Sequence, residues 1–84
     1  MRERKPVGQA FGRVLKDLRV KAKLTQEQLG FEAGLERVYV SLLERGQRSP
    51  SLVIILDLAK ALDITGTELV SMVEQRLRSG KQER

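Results

Sequence analysis

Thr25-Gln26-Glu27-Gln28 opens a helix that Gly34 must close within nine residues. The opening is a capping box: a threonine hydroxyl meets the N–H three residues on, and the glutamine there reaches back to the threonine N–H. Gly34 supplies the left-handed residue that ends the helix. A second segment of similar length, about Arg37 to Arg45, stops at Gly46. Its start is weakly marked, because Glu36 stands where a capping residue should. Isolated helices below roughly 12–15 residues are marginal in water, so both segments must be held by neighbours. The short turn between them forces a steep crossing with close approach. Gly30 leaves space for it, and Leu29, Leu35, Val40 and Leu43 can seal the angle. Two short helices joined this way have the helix-turn-helix layout. From these residues alone, the layout fits a DNA-binding element or an ordinary hairpin in a helical bundle.

The remainder of the chain supplies the supports. Before the pair, Phe11, Val14, Leu15, Leu18 and Ala22 fall on one face of a helix running from near Val7–Phe11 to about Ala22. After Gln47-Arg48-Ser49-Pro50, Ser51 caps a fourth helix through Leu62, with Leu52, Ile55, Leu58, Ala59 and Leu62 as its core stripe. Thr65 and Glu68 form a second capping box, and the fifth helix is expected to end at Gly80. No strand pattern occurs. The fold class is therefore all-α, with five helices. The 84 residues suffice for one domain, with a core over 8–79, a flexible basic amino-terminal tail over 1–6 and a carboxy-terminal tail over 80–84.

The chain has no cysteine and no histidine. Disulfides, thiolate metal sites and serine–histidine or cysteine–histidine catalysis are thereby excluded. Asp17, Glu27, Glu44, Asp57 and Asp63 show no paired acid–base spacing, and no glycine-rich phosphate loop follows a strand. The sequence predicts no enzyme, no metal and no cofactor. It has no membrane-length apolar run and no signal-peptide h-region, so a cytoplasmic protein without membrane contact is expected. Of 16 Lys and Arg residues, eight lie in the first 23 positions, against Glu3 and Asp17. Such a basic quarter suits phosphate contact, or else a solvated helix face with a frayed tail.

Leu24-Thr25-Gln26-Glu27-Gln28-Leu29, Ala33-Gly34, Tyr39-Val40-Ser41, Leu43-Glu44-Arg45-Gly46, Pro50-Ser51-Leu52 and Ala59-Lys60-Ala61-Leu62 resemble the Cro and phage-repressor (XRE-type) regulators. The likeness covers roughly residues 10–70, and Leu35–Ser41 is also similar to the recognition helix of restriction–modification controller proteins. The resemblance implies a lambda-repressor-like five-helix domain that binds double-stranded DNA, its third helix in the major groove and its second across the backbone. It implies a phosphate contact for Gln26, outward recognition positions at Arg37, Val38, Ser41 and Leu42, a phosphate or base-edge contact for Tyr39, and backbone contacts for Arg48 and Ser49. It also implies an ion pair between Arg19 and Glu44. Arg37 can read guanine or anchor a phosphate. Val38 and Leu42 offer no hydrogen bonds and can only meet a thymine methyl or exclude a wrong base; Leu42 can also be partly core. An isolated tyrosine such as Tyr39 is more often a packing residue with its hydroxyl at the surface.

The family usually has polar residues where this chain has Val53 and Ile54. Ser51–Leu56 is apolar almost all round, and Leu69, Val70, Met72, Val73 and Leu77 exceed one narrow stripe. A helix apolar on two faces is buried on two faces. A homodimer through Val53, Ile54, Asp57, Val70, Val73 and Leu77 is expected, unless the fifth helix folds back over the fourth. The leading function is a dimeric transcriptional regulator on a palindromic operator. The alternative is an antitoxin-type module on the same fold that masks a toxin partner and autoregulates its operon.

Overall fold

The computed structural model describes the backbone of residues 5–83 and the side chains of residues 6–79. Five helices form: α1 (Lys5–Lys21), α2 (Gln26–Ala33), α3 (Arg37–Glu44), α4 (Leu52–Ala61) and α5 (Gly66–Glu83). No strand occurs among the described residues.

The local signals act as expected at most helix ends. Thr25 Oγ1 accepts from the Gln28 N–H at 3.0 Å, and the Thr25 N–H donates to Gln28 Oε1 at 2.8 Å. Thr65 and Glu68 repeat the arrangement at 3.0 and 2.9 Å. The Ser51 hydroxyl accepts from the Ile54 N–H at 3.2 Å. Glu36 occupies the N-cap of α3 without a side-chain cap bond. Gly34 closes α2 at φ 75°, its N–H reaching the carbonyls of Gly30 and Phe31.

Both outer boundaries differ from expectation. α1 already includes Lys5 and Pro6, which are expected from the sequence to lie in a tail. Proline fits the first turn because its missing N–H would be unpaired there anyway. Residues 1–4 lie outside the described residues. α5 runs through Gly80 to Glu83 instead of stopping. A glycine inside a helix costs about 1 kcal/mol, which weakens a helix without ending it. The carboxy-terminal tail expected over 80–84 is thus helical to 83, and Arg84 is outside the described residues.

The core draws on every helix: Ala10, Phe11, Val14 and Leu15 of α1, Leu29 and Ala33 of α2, Val40 and Leu43 of α3, Leu58 and Ala59 of α4, Leu69 and Val73 of α5. Three apolar assignments change. Ala22 lies past the end of α1 and is exposed. Leu52 is 67% exposed, because it lies over the shallow groove between α4 and α5 rather than in the core. Val73, expected on a dimer surface, is only 8% exposed: it lies one turn beyond Leu69 on the buried face of α5.

Backbone-to-backbone approach sets two of the packing distances. A Cβ on Gly30 would lie 2.5 Å from the Leu35 carbonyl oxygen, which is the space the turn requires. A Cβ on Gly12 would lie 2.5 Å from the carbonyl oxygens of both Leu43 and Glu44, so α1 rests directly on the last turn of α3. Helix propensity alone would make Gly12→Ala stabilising by about 1 kcal/mol. Overpacking against two fixed carbonyls reverses that sign, and a net loss of about 1–3 kcal/mol is expected in urea unfolding. A raised midpoint would show that the helices are not held this close.

Candidate nucleic-acid interface

The interface is built around one buried carboxylate. Arg19 Nε of α1 donates to Glu44 Oε2 at 2.6 Å, and its Nη2 donates to Oε1 at 3.1 Å. Arg19 Nη1 donates to the Leu24 carbonyl at 2.9 Å, gripping the segment before α2. Gln26 Nε2, on the first residue of α2, donates to Glu44 Oε1 at 3.0 Å. The Glu44 side chain is 4% exposed and that of Arg19 12%. A fork-on-carboxylate pair with a further donor on the same carboxylate is the geometry in which a buried ion pair holds. The hydrogen bond to Glu44 raises the Arg19 pKa above its ordinary value; desolvation opposes this and the Glu44 charge adds to it. The guanidinium is therefore held in its charged form.

The ion pair matches the sequence expectation. The part taken by Gln26 does not follow from the sequence: the residue assigned to phosphate is also a strut between α2 and α3. Its spacing from Glu44 carries no local signal, because the contact is tertiary. A primary amide has two N–H donors, so the second remains available to a phosphate beside the start of α2.

With its far end fixed, α3 presents its first turns outward. Arg37 and Val38 are exposed, Val38 at 58%. Ser41 and Leu42 are half-buried, and Leu42 does not pack against the core. Tyr39 is half-buried and does pack against it. Arg48 and Ser49, in the loop after α3, are exposed. Among the described residues neither Arg37 nor Arg48 is in an ion pair. The arrangement can therefore offer two unpaired guanidinium groups, one at the start of α3 and one in the loop that follows it. Phe31, for which no sequence pattern predicts a role, is 85% exposed beside the groove formed by Gly34, Leu35, Glu36 and Arg37.

The helix-turn-helix family HTH_3 matches residues 15–69, a span from the middle of α1 into α5 that contains every residue of this network. The chain belongs to that family.

HTH_3 membership makes it a helix-turn-helix DNA-binding regulator rather than an enzyme. It is 39% identical over 72 residues to the uncharacterized HTH-type transcriptional regulator y4dJ of Sinorhizobium fredii, covering 86% of this chain and 88% of that protein. It is 53% identical to the restriction–modification controller protein C.AhdI of Aeromonas hydrophila, whose crystal structure superposes with a TM-score of 0.72 over 74% of this chain and 94% of that one. The fold is also that of the controller protein C.Esp1396I, solved as a tetramer with its natural 35 base-pair operator: TM-score 0.77, 24% identity, 84% of this chain and 93% of that one. Among the described residues no helix is long and apolar enough to cross a membrane.

Removing one partner of a buried ion pair leaves a charge without compensation, at about 3–5 kcal/mol. Glu44→Ala should lose stability in that range by urea unfolding, since Arg19 and Gln26 both lose their acceptor. An unchanged midpoint would mean that the pair contributes nothing to the fold.

Proposed function

We propose that this chain is a transcriptional controller of the restriction–modification type, acting as a homodimer on a palindromic operator in double-stranded DNA. The observation that carries the reading is the outward first turn of α3, with Arg37 unpaired and exposed, braced from behind by the buried Glu44 network. Identity to C.AhdI supports the controller class.

In this reading α3 enters the major groove. The Arg37 guanidinium lies flat against a guanine edge and donates to O6 and N7. Val38 and Leu42 meet thymine methyl groups or exclude other bases. Ser41 supplies a small donor or acceptor. Tyr39 keeps its ring on the core and turns its hydroxyl to the DNA. Gln26, Arg48 and Ser49 hold phosphates on either side of the groove and set the register without reading sequence.

The dimer forms through α4 and α5. Leu52, Val53 and Leu56 of α4 and Val70 of α5 are exposed apolar residues, with Asp57 exposed on α4. Ile54 and Leu77 are half-buried against the core and contribute only their outer edges; Val73 contributes nothing. Burying side chains of this size contributes roughly 1.5–3 kcal/mol each, before the cost of association. A two-fold pair would place its third helices about one helical turn apart, roughly 10–10.5 base pairs between half-site centres.

Arg37→Ala should relax preference at one base pair per half-site and cost about 1–3 kcal/mol. Binding to a series of single-substituted duplexes measures this. An equal loss on all of them would assign Arg37 to a phosphate instead. Val53→Lys with Val70→Lys places like charges on the proposed interface. The wild type should sediment as a dimer at micromolar concentration and the double variant as a folded monomer. A double variant that remains dimeric puts the interface elsewhere.

A further inference from the structure

Half of the basic residues lie in the first 23 positions, yet the proposed interface uses only Arg19 among them, and Arg19 is bound internally. The two flanks of α1 differ. One rests on α3 and its following loop. A Cβ on Gly8 would be 3.4 Å from the Gly46 carbonyl oxygen and 3.9 Å from Ser49 Oγ; Gly12 abuts Glu44; Arg19 bonds Glu44. The other flank faces α5: Asp17, Leu18 and Lys21 line a groove with Met72 and Arg76, and Asp17 lies 3.8 Å from the Arg76 guanidinium.

Helical geometry places Gln9 and Lys16 just outside the α3 flank. Lys16 is one turn from both Gly12 and Arg19. Gln9 packs over the loop, where a Cβ on Gly46 would meet Gln9 Cγ at 3.0 Å. Lys16 is exposed and, among the described residues, in no ion pair. A path from Gln26 at the start of α2 to Arg48 and Ser49 after α3 therefore runs past Lys16 and Gln9. These two are about 10 Å apart along the axis at 1.5 Å per residue. That is long enough to meet more than one phosphate of a strand.

We propose that Lys16, with Gln9 two turns before it on the same face, is a DNA-backbone contact, so that α1 carries part of the phosphate footprint between the two ends of the helix-turn-helix. The proposal rests on the DNA-binding reading above. Lys16 acts as a mobile point charge with three donors, which anchors a strand without reading its sequence. Lys21, on the flank against α5, has no such role.

The test uses the full chain and two duplexes of equal length: one recovered by the wild type from a random pool, and one of random sequence. Lys16→Gln and Lys21→Gln remove the same charge from the same helix. Lys16→Gln should weaken binding to both duplexes by a similar factor and lower the slope of log K against log salt by about 0.9. Lys21→Gln should leave the slope unchanged, Lys16→Arg should restore it, and thermal midpoints should match the wild type. A wild-type slope in Lys16→Gln, with the wild type selecting a duplex, overturns the α1 contact and leaves the DNA-binding reading standing. Equal slopes lost by Lys16→Gln and Lys21→Gln also overturn it, since overall charge would then explain both. A wild type that selects no duplex overturns the reading beneath the proposal, and the proposal with it.

Discussion

The carboxylate of Glu44 receives hydrogen bonds from two helices and fixes a third, since it stands on the last residue of α3. Its two oxygens take both faces of the Arg19 fork and the amide of Gln26, while the same guanidinium holds the Leu24 carbonyl. α2 and α3 have eight residues each and are too short to persist alone. The apolar seal of Leu29, Val40 and Leu43 supplies most of their association, but such contacts are non-directional. The bidentate pair adds a direction. α1 meets the same end of α3 directly at Gly12, where no side chain intervenes.

What the sequence showed clearly was what is encoded locally. Thr25 with Gln28, Thr65 with Glu68, Ser51 and Gly34 announce helix ends through bonds between residues three or four apart, and the structure contains them all. The faces of α1 and α3 were legible because each has one apolar stripe. α4 and α5 were not, for a physical reason: their apolar residues occupy more than one face, so periodicity cannot say which set the core claims. Val73 and Leu52 changed places with respect to the surface on that account. The role of Gln26 depends on a contact with a residue eighteen positions away, and no pattern in the chain reports it.

The outward residues divide by what they can distinguish. Arg37 has the fork to tell one base edge from another, whereas Arg48, Ser49 and Gln26 lie where only the strand backbone can be reached in the proposed mode. In the proposed mode Val38 sets an apolar surface beside Arg37, so discrimination by α3 would depend on shape and exclusion as well as on hydrogen bonds. The exposed apolar residues of α4 and α5 lie on other helices from Arg37 and Val38, so the proposed assembly and the proposed reading would be free to change independently.

α3 behaves as a cantilever. Its tail is clamped by Glu44, Leu43 and the Gly12 contact, and its head, at Arg37 and Val38, projects without bearing any of the weight of the fold. Substitutions at the head leave the clamp untouched. Under the proposed reading, a lineage with this frame would be able to drift toward new target sequences one base contact at a time, with each intermediate still folded. Variation among its descendants should gather at the first turn of α3, and the clamp should stay constant.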